Sequence, residues 1–264
     1  MKSKKIRSEL SLVSIILPTY NSEKNIFNTL LAIKNQTYTN IEVIVIDGYS
    51  IDKTIKLVKK FLPVAKIFSQ RPLGIYSAMN LGIKKSKGKY LFFLNSDDFI
   101  SPPSISYLVN NLENNKSGLI FLPTYSKAGY KTKLYFERSF LSMERVFFSH
   151  SASLMISRKL HLQYGLYSVN KCQFNADIEF YYKLLKNKVS MIVAPRSQAA
   201  YGVFTDGGIS SKGPYLKKLF DEFNFRKKYI LKDRNDLIYC LLIVPLSFFY
   251  HFLKVTLINF FKLS

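Results

Sequence analysis

Asn95-Ser96-Asp97-Asp98 places two carboxylates side by side directly after an apolar run, Tyr90-Leu91-Phe92-Phe93-Leu94. Neighbouring acids repel unless a cation joins them. A divalent ion held by one or two carboxylates and completed by substrate phosphates is the usual Mg2+ arrangement, and Mn2+ accepts the same oxygen ligands. A solvated turn accounts for the same residues equally well. Asp47 poses a similar choice. It follows Glu42-Val43-Ile44-Val45-Ile46 and precedes Gly48-Tyr49-Ser50-Ile51-Asp52, so its carboxylate emerges where a strand gives way to a helix. There it can accept hydrogen bonds from a base or ribose, or only from its own turn. Asp177 and Glu179 stand in the first turn of a helix-length segment, 176–186, where acids ordinarily serve the helix itself.

The elements that must position these residues follow from hydropathy. From residue 12 to about 122, apolar runs alternate with amphipathic, helix-length segments, the pattern of strand, crossover helix and parallel strand. Residues 12–17, 41–46, 64–68 and 90–94 read as strands, and 22–35, 51–61 and 75–85 as helices, with Asn21, Ser50 and Asp52 near helix starts. The sheet is expected to be largely parallel. In such sheets ligands gather beyond the carboxyl ends of the strands, where Pro18-Thr19-Tyr20-Asn21, Asp47-Gly48 and Asn95-Ser96-Asp97-Asp98 all fall. Beyond residue 123 the pattern weakens; a helix at 176–186 and a strand at 189–194 are the elements it supports.

Thirty-nine Lys and Arg against seventeen Asp and Glu give a net charge of +22, which attracts phosphates, nucleic acid or an anionic lipid surface. Cys172 and Cys240 are the only cysteines and lie in no metal-ligand spacing, so neither a disulfide framework nor a zinc site is expected. The N-terminal Lys2, Lys4, Lys5 and Arg7 followed by an apolar stretch imitate a signal peptide. That stretch runs straight into Pro18-Thr19-Tyr20-Asn21 without a small-residue cleavage site, so processing is not expected. Residues 212–234 carry eight Lys or Arg against three acids, interleaved with Leu216, Leu219, Phe220, Phe223 and Tyr229. This is the make-up of a basic amphipathic helix on a membrane surface. Residues 237–253 then form a run without formal charge, interrupted by Pro245 and short for a span of roughly 20 apolar residues. An interfacial or re-entrant helix pair is expected there, with burial against the domain or a partner chain as the alternative.

Several stretches in order resemble the family-2 glycosyltransferases, in particular their small members of bacterial polysaccharide assembly. Val13-Ser14-Ile15-Ile16-Leu17-Pro18-Thr19-Tyr20-Asn21 resembles the opening strand and nucleotide loop, and Val45-Ile46-Asp47-Gly48-Tyr49-Ser50-Ile51-Asp52 the second. Gly74-Ile75-Tyr76-Ser77-Ala78-Met79-Asn80-Leu81-Gly82-Ile83 and the stretch from Gly88 to Asp98 follow at the family's spacing. The resemblance spans roughly residues 12–210. It implies a GT-A fold, an α/β, Rossmann-like domain whose mixed, mostly parallel sheet is flanked by helices, over residues 1–211. The nucleotide-binding half is expected at about 10–122 and the acceptor half at 123–211, with 212–264 as a membrane-associating tail.

The resemblance also implies roles. Pro18, Thr19, Tyr20, Asn21, Asp47, Ser50, Gly74, Asn80, Asn95, Ser96 and Asp97 surround the nucleotide, Asp97 binds Mn2+ or Mg2+, and Asp98 is a second metal ligand. Asn95 stands where the family often has an acid, so one charge is missing and Asp98 compensates. Ser77 replaces a frequent Asp, a departure that bears on donor choice. Phe174-Asn175-Ala176-Asp177-Ile178-Glu179 resembles the acidic motif facing the acceptor, which makes Asp177 the general base and Glu179 the reserve. A helix N-terminus lowers a carboxylate's pKa, so partial desolvation has to offset it. His150 and Gly207-Gly208 are candidates for acceptor or diphosphate contact; a structural histidine and a turn are their plainer readings.

The expected reaction is inverting transfer from a nucleotide-diphosphate sugar, a UDP-sugar, to a hydroxyl of a lipid-linked saccharide, at the cytoplasmic face of the inner membrane. The protein is expected to be peripheral or monotopic, and oligomerisation is left open. Nucleic acid is not the expected partner, although the cations and aromatics would serve one. A nucleotidyltransferase is disfavoured because the early chain has no Gly-rich phosphate loop carrying Lys or Arg.

Overall fold

The computed structural model describes residues 10–128, 131–135, 153–169, 176–194 and 199–205. All lie in the first of two units, Met1–Ser211; the second, Lys212–Ser264, is outside the described residues, and with it every expectation about the tail.

The chain alternates as its hydropathy requires: β1 (Val13–Thr19), α1 (Ile26–Lys34), β2 (Ile41–Asp47), α2 (Thr54–Phe61), β3 (Lys66–Ser69), α3 (Ile75–Lys85) and β4 (Tyr90–Phe93). There follow β5 (Phe99–Ile100), α4 (Ser104–Asn115), β6 (Leu119–Phe121), β7 (Thr124–Ala128), β8 (Lys131–Tyr135), β9 (Leu154–Ser157), α5 (Arg158–Tyr164), α6 (Ala176–Lys186), β10 (Met191–Val193) and β11 (Gly202–Thr205). A seven-stranded sheet runs β10-β6-β9-β4-β1-β2-β3, and a four-stranded one β5-β11-β7-β8. In the large sheet β1 pairs in parallel with β2 and β4, β2 with β3, and β6 with β10. The exception is β9, antiparallel to both β4 and β6.

Central strands buried on both faces read as near-continuous apolar runs; β4 is apolar throughout, and β1 departs only at its buried Ser14, whose hydroxyl donates to Glu42 Oε1 at 2.6 Å, and at its last residue, Thr19. Their side chains divide by the two-residue period. Ile15, Leu17, Val43, Val45, Phe92 and Leu94 join Leu30, Ile33, Leu108 and Leu112 in one core. Ile16, Leu91 and Phe93 join Met79, Ile83, Phe180, Tyr181 and Leu184 in another. Thus α1 and α4 cover one face, α3 and α6 the other. The close seat of α3 depends on Gly82: a Cβ there would lie 2.3 Å from Ile16 Cγ2.

Helix starts differ from the expected ones for a local reason. Ser22 and Glu23 donate their backbone N–H groups to Thr54 Oγ1 (2.7 Å) and Asp52 Oδ2 (3.1 Å), so the chain stays in a turn until α1 begins. Asp52 also accepts the Thr54 N–H at 2.9 Å, which holds α2 back to Thr54. Val64, expected in a strand, is 88% exposed in the turn before β3. Between 123 and 210 the structure adds β7, β8, β9, α5 and β11 to the two elements the pattern supports.

Candidate active site

The loops after β1 and β2 are locked together. Thr19 and Asp47 are register partners at the ends of their strands, and the Gly48 N–H donates to the Thr19 carbonyl at 2.9 Å. Asp47 is 4% exposed; its Oδ2 accepts the Ser50 N–H at 3.0 Å and its Oδ1 the Ser50 hydroxyl at 2.6 Å. Ser50 Oγ accepts the Asn21 N–H at 2.9 Å, and Asn21 Oδ1 accepts the Ile51 N–H at 3.0 Å. Asp47 is thus a turn-forming acid, and a carboxylate with about four lone-pair sites retains acceptor capacity beyond these two bonds. Asn21 (φ 44°) and Tyr49 (φ 62°) are both left-handed. Asn tolerates that conformation; a Tyr adopts it at a cost, and such strain gathers at functional loops. Tyr20 and Tyr49 stand 55% and 59% exposed on this rim, while Pro18 and Thr19 are buried beneath it. The Thr19 hydroxyl has no hydrogen-bond partner among the described residues.

The turn after β4 joins the same rim through Ser96, whose hydroxyl lies 2.9 Å from that of Ser22. Asp98 N–H closes the turn onto the Asn95 carbonyl at 3.1 Å. Thr29 and Thr205 hydroxyls donate to the Asp98 and Asp97 carbonyls, each at 2.7 Å, and tie the turn to α1 and β11. The two acids part here. Asn95, Ser96 and Asp97 are partly exposed, whereas Asp98 is 2% exposed. Burial, then the neighbouring Asp97 charge, pushes the Asp98 carboxyl well above its usual range, against hydrogen bonds from Thr205 and Asn95. Asp98 is thus turned inward, and Asp97 is left as the acid on the rim. No group of three or more His, Cys, Asp and Glu gathers among the described residues; Asp97 is the acid that these place on the rim to meet a cation, and substrate oxygens can join it. That set of hard oxygens fits Mg2+ or Mn2+.

Helix α3 starts beside this rim at Gly74, whose φ of 99° suits only glycine. Two residues on, the Tyr76 hydroxyl donates to Asp177 Oδ1 at 2.7 Å, and the Ile178 N–H donates to the same oxygen at 2.9 Å. Burial raises the Asp177 carboxyl above its usual range, with the Tyr76 and Ile178 bonds acting against it. This reverses the expectation of a helix N-terminus holding the acid low: packing desolvates Asp177 before any acceptor binds. Glu179, two positions on, lies far around α6 from Asp177. The Asn80 amide holds Tyr167 by both ends, Nδ2 donating to its carbonyl (2.9 Å) and Oδ1 accepting its N–H (3.0 Å). Its described bonds therefore brace the fold under α6.

Tyr167 packs edge-on against Phe93 and Phe180, tilted against Tyr76, and 5.0 Å from the His161 ring. His161 stacks on Phe180 at 4.3 Å and 9°. Burial lowers its pKa from 6.5 to about 4. Tyr76, Tyr167 and His161 were not singled out from the sequence. Tyr76 sits inside a quoted motif, yet an aromatic on a helix reads as core. His150, Gly207 and Gly208 lie outside the described residues.

A seven-stranded, mostly parallel sheet with one antiparallel strand, helices on both faces and polar loops at the carboxyl ends of its strands defines a GT-A domain. The family model for glycosyl transferase family 2 matches residues 14–171, and the chain belongs to that family. Among relatives, it is 35% identical over 109 residues to the UDP-Glc:alpha-D-GlcNAc-diphosphoundecaprenol beta-1,3-glucosyltransferase WfaP of Escherichia coli, covering 40% of this chain and 43% of that one. S. aureus TarS 1-349 in complex with UDP superimposes with a TM-score of 0.65 at 20% identity, covering 85% of this chain and 68% of that one. GalNAc-T7 with UDP, GalNAc and Mn2+ superimposes at 0.69 and 14% identity, covering 90% and 51%. At such identities the likeness is one of fold. The chain spans 44% and 59% of the length of two glycosyltransferases it matches, from Haemophilus influenzae and Rickettsia typhi.

Proposed function

We propose that this protein is an inverting glycosyltransferase that moves a sugar from a UDP-sugar to a hydroxyl of a lipid-linked saccharide in surface polysaccharide synthesis. The observation that carries the reading is the rim itself, where three loops from separate strands are hydrogen-bonded into one frame through Asp47, Ser50, Asn21, Ser22 and Ser96. Thr19, Tyr20, Asn21 and Asp47 hold the nucleoside, with the Tyr20 ring offering an exposed face. Gly74, whose Cβ position is open, lets the backbone approach the donor. Asp97 would hold a divalent cation, Mn2+ or Mg2+, whose remaining ligands would include the donor's phosphate oxygens, and the cation would supply positive charge where negative charge develops on the leaving diphosphate.

Asp177 is the base. Its carboxylate takes the proton of the acceptor hydroxyl as that oxygen bonds to the anomeric carbon; the bond from that carbon to the diphosphate breaks, and the nucleoside diphosphate leaves. A carboxylate whose pKa burial has raised is a stronger proton acceptor than a solvated one. WfaP, named for a diphosphoundecaprenol-linked acceptor, supports the lipid-linked assignment. UDP in TarS and UDP with Mn2+ in GalNAc-T7 support the donor and metal classes.

Residues 212–264, with their dense cations, bring the rim to an anionic membrane at its cytoplasmic face. No helix among the described residues is long and apolar enough to cross a membrane. The test of the donor assignment is a thermal-shift panel of nucleotide sugars with and without Mn2+. One UDP-sugar raising the melting temperature only with metal is expected; equal response to all nucleotides, or to none, contradicts the reading.

A further inference from the structure

Asp177 receives its hydrogen bonds unevenly. Tyr76 Oη and Ile178 N–H both donate to Oδ1, at 2.7 and 2.9 Å, so the hydrogen bonds that these two neighbours bring to the carboxylate share one oxygen. A carboxylate saturated on one oxygen has a fixed rotamer and keeps lone pairs on the other. We propose that Tyr76 is a positioning residue that clamps Oδ1 of Asp177 and thereby aims Oδ2 at the acceptor hydroxyl. This rests on Asp177 being the base.

The placement of Tyr76 supports the role. It lies in the first turn of α3, two residues after Gly74, on the helix that starts at the donor rim, and it reaches 101 residues along the chain to the acceptor helix α6. Its ring is held by Tyr167 at 5.5 Å, and Tyr167 is itself held by both ends of the Asn80 amide. Asn80 lies on α3 one turn beyond Tyr76, so a single helix carries both the hydroxyl that grips the base and the amide that braces the gripping ring. The groups around the Asp177 carboxyl are the phenols of Tyr76, Tyr167 and Tyr181, each pushed upward by burial and so neutral at working pH. Behind them His161 is neutral above about pH 4, and Glu179 projects elsewhere around α6. A neutral donor is therefore what the carboxylate meets. Losing it removes a bond that favours the ionised form.

The test compares the full chain with Tyr76→Phe, which keeps the ring and its packing. The Asp177 carboxyl is followed by 13C NMR titration in Asp-labelled protein, its signal assigned by its loss in Asp177→Asn. Tyr76→Phe is expected to raise the midpoint by about one pH unit. The acid limb of UDP-sugar turnover should move by the same amount, and kcat should fall about 10-fold with donor KM unchanged. An unmoved midpoint in a folded Tyr76→Phe protein overturns the inference, as does an equal effect of Tyr76→Leu and Tyr76→Phe on melting with no movement of the titration. A shifted midpoint together with normal turnover by Asp177→Asn leaves the clamp standing and removes the base assignment. The two failures are thus distinguishable.

Discussion

His161 makes the aromatic support beneath α6 sensitive to acid, and the size of the effect can be worked out. Its ring is 2% exposed, stacked on Phe180, with Nδ1 3.2 Å from the Gly165 carbonyl and Nε2 without a hydrogen-bond partner among the described residues. Folding lowers its pKa from 6.5 to about 4, so the unfolded chain binds a proton at a pH where the folded one does not. The stability at stake is fully present above pH 6.5, declines as pH falls below that value, and is wholly lost below about 4. Linkage over that interval amounts to roughly 3 kcal/mol in full and about 2 kcal/mol at pH 5. For a domain of this size the loss at pH 5 corresponds to roughly 4–8 °C in melting temperature. Asp98 and Asp177, raised by burial, act with the opposite sign and are common to wild type and variant. The perturbation is therefore His161→Phe, compared with wild type by urea unfolding at pH 7.5 and pH 5. Any repacking cost is present at both pH values and cancels. Wild type is expected to lose about 2 kcal/mol more than the variant between the two conditions. Identical pH dependence in both proteins refutes the claim that this ring is held neutral by burial.

Asp97→Ala should lose the metal-dependent part of UDP-sugar binding while keeping metal-independent UDP binding, read by calorimetry with Mn2+ and with chelator; an unchanged metal response counts against Asp97 as the ligand. Gly82→Ala forces a methyl to within 2.3 Å of Ile16 Cγ2 and should destabilise by roughly 1–3 kcal/mol despite alanine's better helix propensity. Unaltered chemical unfolding would show that α3 can shift freely on the sheet. Deleting residues 212–264 should release the protein from anionic vesicles in a sedimentation assay, and continued binding would remove the tail from that role.

Much of this architecture could be read from the residues because the nucleotide half is locally consistent. Strands such as Ile41–Asp47 are apolar enough to be buried on both faces, and α3 and α6 occupy the segments that periodicity assigns them. The second half was less legible for physical reasons. β7 and β8 read Thr-Tyr-Ser-Lys-Ala and Lys-Thr-Lys-Leu-Tyr, with too few apolar positions to signal strands, and β9 is four residues whose antiparallel seat between β4 and β6 is a long-range choice. The same limit applies to the site. Asp97 and Asp98 are indistinguishable in a string of letters, and the turn that divides them between rim and interior is held by Thr29 and Thr205, which reach its carbonyls only in the folded chain. Asn80 stands in a motif at nucleotide-site spacing, yet both ends of its amide bind Tyr167, 87 residues away.

The most direct test is sugar transfer by Asp177→Asn, a substitution that keeps the shape of the side chain and removes its ability to take a proton. With a UDP-sugar, Mn2+ and a lipid-linked acceptor, turnover should fall by about 100-fold to 10,000-fold while UDP affinity stays near that of wild type. Near-normal transfer by this variant would contradict the account of a glycosyltransferase whose acceptor is deprotonated from α6.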